Sequence, residues 1–141
     1  MLSTSGARML GLMNVKGSAA ESPLVSIVDD DASTRKSAQR LISSFGFRAE
    51  VFASAQEFLE SGRVKETECL ILDMRMPNMD GLELQDLLGS KNYRIPIIFV
   101  TAQASHDEQK RATQAGAVAF LRNPVSGEAL ISVIQAVLQR D

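Results

Sequence analysis

Leu24-Val25-Ser26-Ile27-Val28-Asp29-Asp30-Asp31 decides the fold: a short β-branched run that stops abruptly in three acids. A short β-branched run bounded by turn signals reads as a strand. Related texture returns four times. Arg48 to Phe52 reads as a second strand, and Leu70 to Leu72, running into Asp73, as a third. Ile95 to Val100 is a fourth with almost no polar residue, and Ala117 to Leu121 a fifth. Helical spacing fills the intervals. Ala38, Leu41, Ile42 and Phe45 recur every three or four residues ahead of Gly46. Ser54 and Glu57 form a capping box, in which each side chain can bond the other's backbone N–H, with Phe58 and Leu59 in that helix and Gly62 just past it. Gly81 precedes a helix with Leu84, Leu87 and Leu88 on one face, ended by Gly89. A polar helix runs from Ser105 to Ala115, with Gly116 after it, and Glu128 to Leu138 carries Leu130, Val133, Ile134 and Val137 on its inner face. Five strands alternating with five helices imply an α/β, doubly wound domain with a parallel sheet and right-handed crossovers.

This pattern runs over residues 23–139, and the domain is taken as residues 23–141. Residues 1–22, rich in Gly, Ser and Ala without a sustained period, read as a flexible N-terminal leader. Lys plus Arg number 15 against 17 acids, a net charge of −2, so nothing supplies the basic surface of a free-standing nucleic-acid binder. The single cysteine, Cys69, excludes an internal disulfide and a thiolate zinc site, and its apolar neighbours Leu70-Ile71-Leu72 mark it as a buried small side chain. Met9-Leu10-Gly11-Leu12-Met13 after Arg8 imitates a signal peptide, but Asn14 and Lys16 leave it shorter than the ~7–15 apolar residues required. No stretch approaches the ~20 residues that span a bilayer, so a cytoplasmic protein without membrane contact is expected.

In an open parallel sheet, ligands bind beyond the carboxyl ends of the strands, near a topological switch point. Those ends carry Asp29, Asp30 and Asp31 on the first strand, Asp73 on the third, Thr101 on the fourth and Arg122-Asn123-Pro124 on the fifth. Acids converging on one rim repel unless a cation lies between them. An all-oxygen set without His or Cys suits a hard ion such as Mg²⁺, and a carboxylate beside such an ion can act as a nucleophile toward phosphorus. Any one Asp taken alone is better read as a helix cap or a solvated group, and Asp31 is placed to cap the next helix. Acids from two separate strand ends, with Thr101 from another, shift that balance.

Ile27-Val28-Asp29-Asp30-Asp31, Leu72-Asp73-Met74-Arg75-Met76-Pro77-Asn78-Met79-Asp80-Gly81, Val100-Thr101-Ala102 and Phe120-Leu121-Arg122-Asn123-Pro124 together resemble the response-regulator receiver domains of two-component signalling. The resemblance covers residues 24–139, in order. The segment Phe52-Ala53-Ser54-Ala55-Gln56-Glu57-Phe58-Leu59 and Arg75-Met76-Pro77 look most like the FixJ-like branch, whose members commonly carry a LuxR-type output domain. The resemblance implies a flavodoxin-like (CheY-like) (βα)5 fold with strand order 2-1-3-4-5. It implies Asp73 as phosphoacceptor, with Asp29, Asp30, Asp73 and the Arg75 backbone carbonyl around Mg²⁺. It further implies Thr101 and Phe120 as switch residues and a cis peptide before Pro124. The implied partner is a sensor histidine kinase or phosphotransfer protein, with a possible homodimer through the fourth helix, fifth strand and last helix. DNA would be reached only through an output domain absent from this chain. Gly81 fits either a positive-φ requirement or an ordinary helix start.

One position departs from the family. Where Asn123 stands, the family places a lysine that bonds a phosphoryl oxygen. A neutral amide in its place would weaken the phosphorylated state by about 1–2 kcal/mol. Arg122 is expected to point to the opposite strand face, away from any rescue. Two readings follow: a phosphorylatable but altered switch, favoured by the intact acids and Thr101, or a degenerate receiver that acts by protein–protein binding. Enzymes of other classes fit less well. An acyl-phosphate hydrolase would place an acid two residues after its nucleophile, where Arg75 stands, and a flavin carrier would not place Asp29-Asp30-Asp31 in its phosphate loop. The expectation is a signalling switch, not an enzyme, with only self-catalysed phosphoryl transfer and autodephosphorylation. His106 reads as a solvent-exposed helix residue. Asp107, Glu108, Lys110 and Arg111 are either a solvated face or a partner surface.

Overall fold

The computed structural model describes residues 22–139. The expected leader therefore lies outside the described residues, apart from Ser22. The elements are β1 (Leu24–Val28), α1 (Ala32–Ser44), β2 (Arg48–Phe52), α2 (Ala55–Glu60) and β3 (Thr67–Leu72), then α3 (Gly81–Ser90), β4 (Ile97–Thr101), α4 (His106–Gln114), β5 (Ala119–Arg122) and α5 (Gly127–Leu138). All strand pairs are parallel and the order is β2-β1-β3-β4-β5. This is the flavodoxin-like arrangement expected.

Strand alternation divides the core in two. Val25, Ile27, Cys69, Ile71, Ile98 and Val100 point to one face, where Ile42 of α1 and Leu130, Ile131 and Ile134 of α5 cover them. Val28, Leu70, Leu72, Ile97 and Phe99 point to the other, beneath Phe58 of α2, Leu82, Leu84 and Leu88 of α3 and Ala112 of α4. At about 1.5–3 kcal/mol per fully buried aliphatic or Phe side chain, these layers hold the strands in one register.

Several boundaries differ from the sequence reading. β3 begins at Thr67, three residues early, because Thr67 is buried and its hydroxyl pairs with that of Ser26 at 2.7 Å. β4 begins at Ile97: Pro96 has no N–H to donate, and its carbonyl accepts from Leu70 N at 2.9 Å. β5 begins at Ala119, since the Ala117 N–H closes the end of α4 by donating to the Ala112 carbonyl at 3.0 Å. Gly89 does not stop α3. The helix runs on to Ser90, and Asn92 (φ 65°) takes the left-handed position. The Ser54–Glu57 box is half formed. Ser54 accepts from Glu57 N at 3.0 Å, but the Glu57 carboxylate reaches past Ser54 to the Ala53 N–H at 2.9 Å.

No helix among the described residues is long and apolar enough to cross a membrane. Cys69 is fully buried, and desolvation pushes its thiol up to about 12. It is an inert core residue.

Candidate functional site

The chain runs from β1 outward to β2, then crosses back to place β3 on the other side of β1. Register then fixes the next step. Val28 lies opposite Leu72, so the following residues, Asp29 and Asp73, leave the sheet side by side. The Asp73 N–H donates to the Val28 carbonyl at 3.0 Å and the Asp29 N–H to the Phe52 carbonyl at 3.1 Å, fixing both backbones. One carboxylate oxygen each from Asp29, Asp30 and Asp73 lie within 4.8 Å of one another.

The three acids differ in setting. Asp29 is buried, 7 % exposed, and its Oδ1 accepts from the Asp31 N–H at 2.9 Å. Burial raises its pKa to about 6; the Asp31 N–H opposes the rise and the charges of Asp73, Asp30 and Asp31 add to it. Asp73 is half-buried and its pKa is also raised by burial, opposed by the Arg75 N–H, which approaches Oδ1 at 3.4 Å, and by the nearby Thr101 hydroxyl. Asp30 is exposed at the rim. Asp31 does something else. It caps α1, accepting from Ser33 N at 2.9 Å, Ser33 Oγ at 2.8 Å and Thr34 N at 3.2 Å.

Around the acids lies an open cavity of about 290 Å³, lined also by Arg75, Thr101, Gln103 and Asn123. Thr101 is buried at the end of β4, and its hydroxyl donates to the Gln103 carbonyl at 3.1 Å. Asn123 follows β5, its N–H held by the Thr101 carbonyl at 2.9 Å, and the Asn123–Pro124 peptide is cis. Phe120 sits apart from the acids, half-buried against Phe99 with ring centroids 5.8 Å apart. Arg122 projects toward α4: its guanidinium lies 5.9 Å from the Phe120 ring centre and donates to the Ala104 carbonyl at 3.2 Å and Gln109 Oε1 at 3.3 Å. It is thus occupied away from the acids.

Gly81 has no positive φ. Its reason is a close approach instead. A Cβ there would press into the Asp73 carbonyl oxygen and come within 2.9 Å of Phe99 Cε1, so only glycine lets α3 start this close to the acid-bearing loop. Positive φ in this loop falls on Asn78 (71°). The sequence reading also missed the Arg75 side chain. It forms a two-pronged pair with Glu108 of α4, at 2.7 and 2.6 Å, across 33 positions of sequence. Glu108 in turn completes a capping box with Ser105, a Ser-x-x-Glu pattern legible in the sequence. Arg111 is paired with Asp86 of α3 at 3.0 Å, so part of the charge on α4 is used within the domain. His106 is an exposed first residue of α4.

The oxygen-only donor set fits a hard divalent ion with few protein ligands, such as Mg²⁺, and offers nothing to a soft metal. Residues 25–135 match the response regulator receiver domain family. The chain is 38 % identical over 123 residues to nodulation protein W of Bradyrhizobium diazoefficiens, covering 87 % of this chain and 54 % of that protein. It is 37 % identical over 116 residues to the response regulator protein TodT of Pseudomonas putida, covering 82 % and 51 %. This chain spans about half the length of these relatives. Among solved structures, the FixJ-N crystal structure superposes with a TM-score of 0.74 at 31 % identity, covering 86 % of this chain and 98 % of that one. The response regulator StyR superposes at 0.77 with 44 % identity, covering 84 % and 60 %. Fold, strand order and these likenesses agree: the chain belongs to the response regulator receiver domain family of two-component signalling, in its FixJ-like and CheY-like company.

Proposed function

We propose that this receiver accepts a phosphoryl group on Asp73 from a sensor histidine kinase or phosphotransfer protein, with Mg²⁺ at the acidic rim. The observation that carries this reading is the Asp29, Asp30, Asp73 cluster, two of whose members are desolvated with raised pKa values. Such a cluster destabilises the fold at neutral pH unless a cation joins it. Asp29, Asp30, Asp73 and the Arg75 carbonyl are the protein ligands in this reading. Bound Mg²⁺ offsets negative charge on Asp73 and on the transferring group.

In the transfer, an Asp73 oxygen forms a bond to phosphorus while the bond from phosphorus to the donor imidazole nitrogen breaks, its electron pair leaving with the imidazole. Water later cleaves the acyl phosphate, returning free Asp73 and inorganic phosphate. The Thr101 hydroxyl can turn to a phosphoryl oxygen only by giving up the Gln103 carbonyl. Phe120, which packs on Phe99 two positions before Thr101 on β4, then follows through the same packed face. That carries the change to the surface of α4, β5 and α5, which serves for output or for pairing with a second copy.

Incubating the protein with acetyl phosphate and Mg²⁺ and weighing it intact tests this. One added phosphate on the native chain, none without Mg²⁺ and none on Asp73→Asn, is expected. No phosphate on the native chain while Asn123→Lys gains one would favour the binding-only receiver.

A further inference from the structure

A second pocket, of about 250 Å³, lies behind the same carboxylates between α1 and α5. Ile71, Val100, Val125 and Leu130 give it apolar walls, and Ser33 and Thr34 stand on its α1 side. Asp29, Asp73 and Asn123 line it and the acidic cavity alike, so the two spaces meet at the carboxylates. No lysine, arginine or histidine lines this pocket among the described residues. The nearby guanidinium groups are engaged elsewhere: Arg35 donates to the Asp29 carbonyl oxygen at 2.8 Å, and Arg75 is taken by Glu108.

An apolar cavity with two carboxylates at one end and no cation of its own complements a positive head on a short aliphatic stem. Asn123, neutral, lines the pocket beside the two carboxylates and brings no charge to them. The volume falls just below the ~300–1,000 Å³ of ordinary small-molecule sites and is ample for a short-chain amine. We propose that this pocket binds a small primary aliphatic amine as its ammonium. The ammonium sits against Asp29 and Asp73, and the stem lies along Val100, Val125 and Leu130. Amine binding goes beyond the phosphoacceptor reading; its effect on phosphoryl transfer rests on that reading.

The test titrates n-butylammonium into the full chain with Mg²⁺ present, followed by backbone amide NMR, with tetramethylammonium at equal ionic strength as the control lacking N–H donors. Saturable shifts confined to Val100, Val125, Leu130 and the strand ends are expected with butylammonium alone. Asn123→Lys, which brings its own ammonium, should weaken that response about tenfold or more. Equal responses to both cations would overturn the site, and so would a butylammonium response that Mg²⁺ abolishes, since the amine would then stand in for the metal. In a second arm, butylammonium should speed phosphate incorporation from acetyl phosphate about tenfold in the native chain and leave Asn123→Lys unchanged. Saturable shifts with phosphate never incorporated would leave the pocket standing and remove the phosphoacceptor reading. Phosphate incorporated without saturable shifts would remove the pocket alone.

Discussion

Asp29 and Asp31 are two residues apart and have opposite fates. Asp31 is exposed, holds Ser33 and Thr34 at the start of α1, and those hydrogen bonds keep its carboxyl below the usual carboxylate range. Asp29 is buried beside Asp73, and desolvation raises it to about 6. One acid is satisfied by its own helix; the other is left with a single N–H and like-charged neighbours. The contrast separates an acid whose charge stabilises local structure from one whose charge is opposed by burial and by its neighbours.

The sharpest break in the comparison is chemical. Asp73→Asn removes the proposed nucleophile while keeping its shape, and phosphate incorporation measured by intact mass should fall to zero. Asp31→Asn should leave incorporation within about twofold of native, since it keeps the cap.

Asp29→Asn comes next. The folded carboxyl keeps its proton up to about pH 6, whereas an ordinary one loses it near 3.8. The folded state therefore binds more protons between those values, and its stability falls as pH rises through that window. The fall attributable to Asp29 is about 3 kcal/mol by the linkage between pKa and stability. Asn keeps an oxygen for the Asp31 N–H, so urea melts without Mg²⁺ should show the variant more stable than native at pH 7 and little different at pH 3.5. A variant less stable at both would show that Asp29 stabilises the fold.

Asp31→Ala should act the other way, and less. Losing the cap of α1 is expected to lower the melting temperature by about 5 °C while leaving Mg²⁺ affinity unchanged. The smallest effect is expected at Arg75 and Glu108. The pair is well formed but Arg75 is half exposed, so a double-mutant cycle of Arg75→Ala and Glu108→Ala should give a coupling below about 1 kcal/mol. A larger coupling that changes on phosphorylation would make this pair a link from the acid-bearing loop to α4.

Sequence texture revealed the alternation of strands and helices because most strands are short apolar runs and the first four helices are each followed by a Gly or Asn at positive φ. It placed Asp29 and Asp73 at strand ends, which is most of the site. Asp31 as a cap was legible from the residue type and the helix that follows. What was not legible depended on neighbours distant in sequence. β3 reaches back to Thr67 because of Ser26, and Gly81 is required by the Asp73 carbonyl and Phe99. The Arg75–Glu108 pair joins the loop after β3 to α4, which no local pattern connects. Gly89 misled because a helix interior tolerates one glycine when Asn92 can supply the left-handed turn.

Burial and neighbouring acids hold Asp29 partly protonated near pH 6, and a divalent ion at the cluster is expected to remove this condition. Titrating Mg²⁺ by calorimetry at pH 6, in two buffers of different ionisation enthalpy, measures the protons released on binding. Release of about half a proton or more per ion is expected in the native chain, with a clear reduction in Asp29→Asn. Mg²⁺ binding that releases no proton, or that is unaffected by Asp29→Asn, would contradict it.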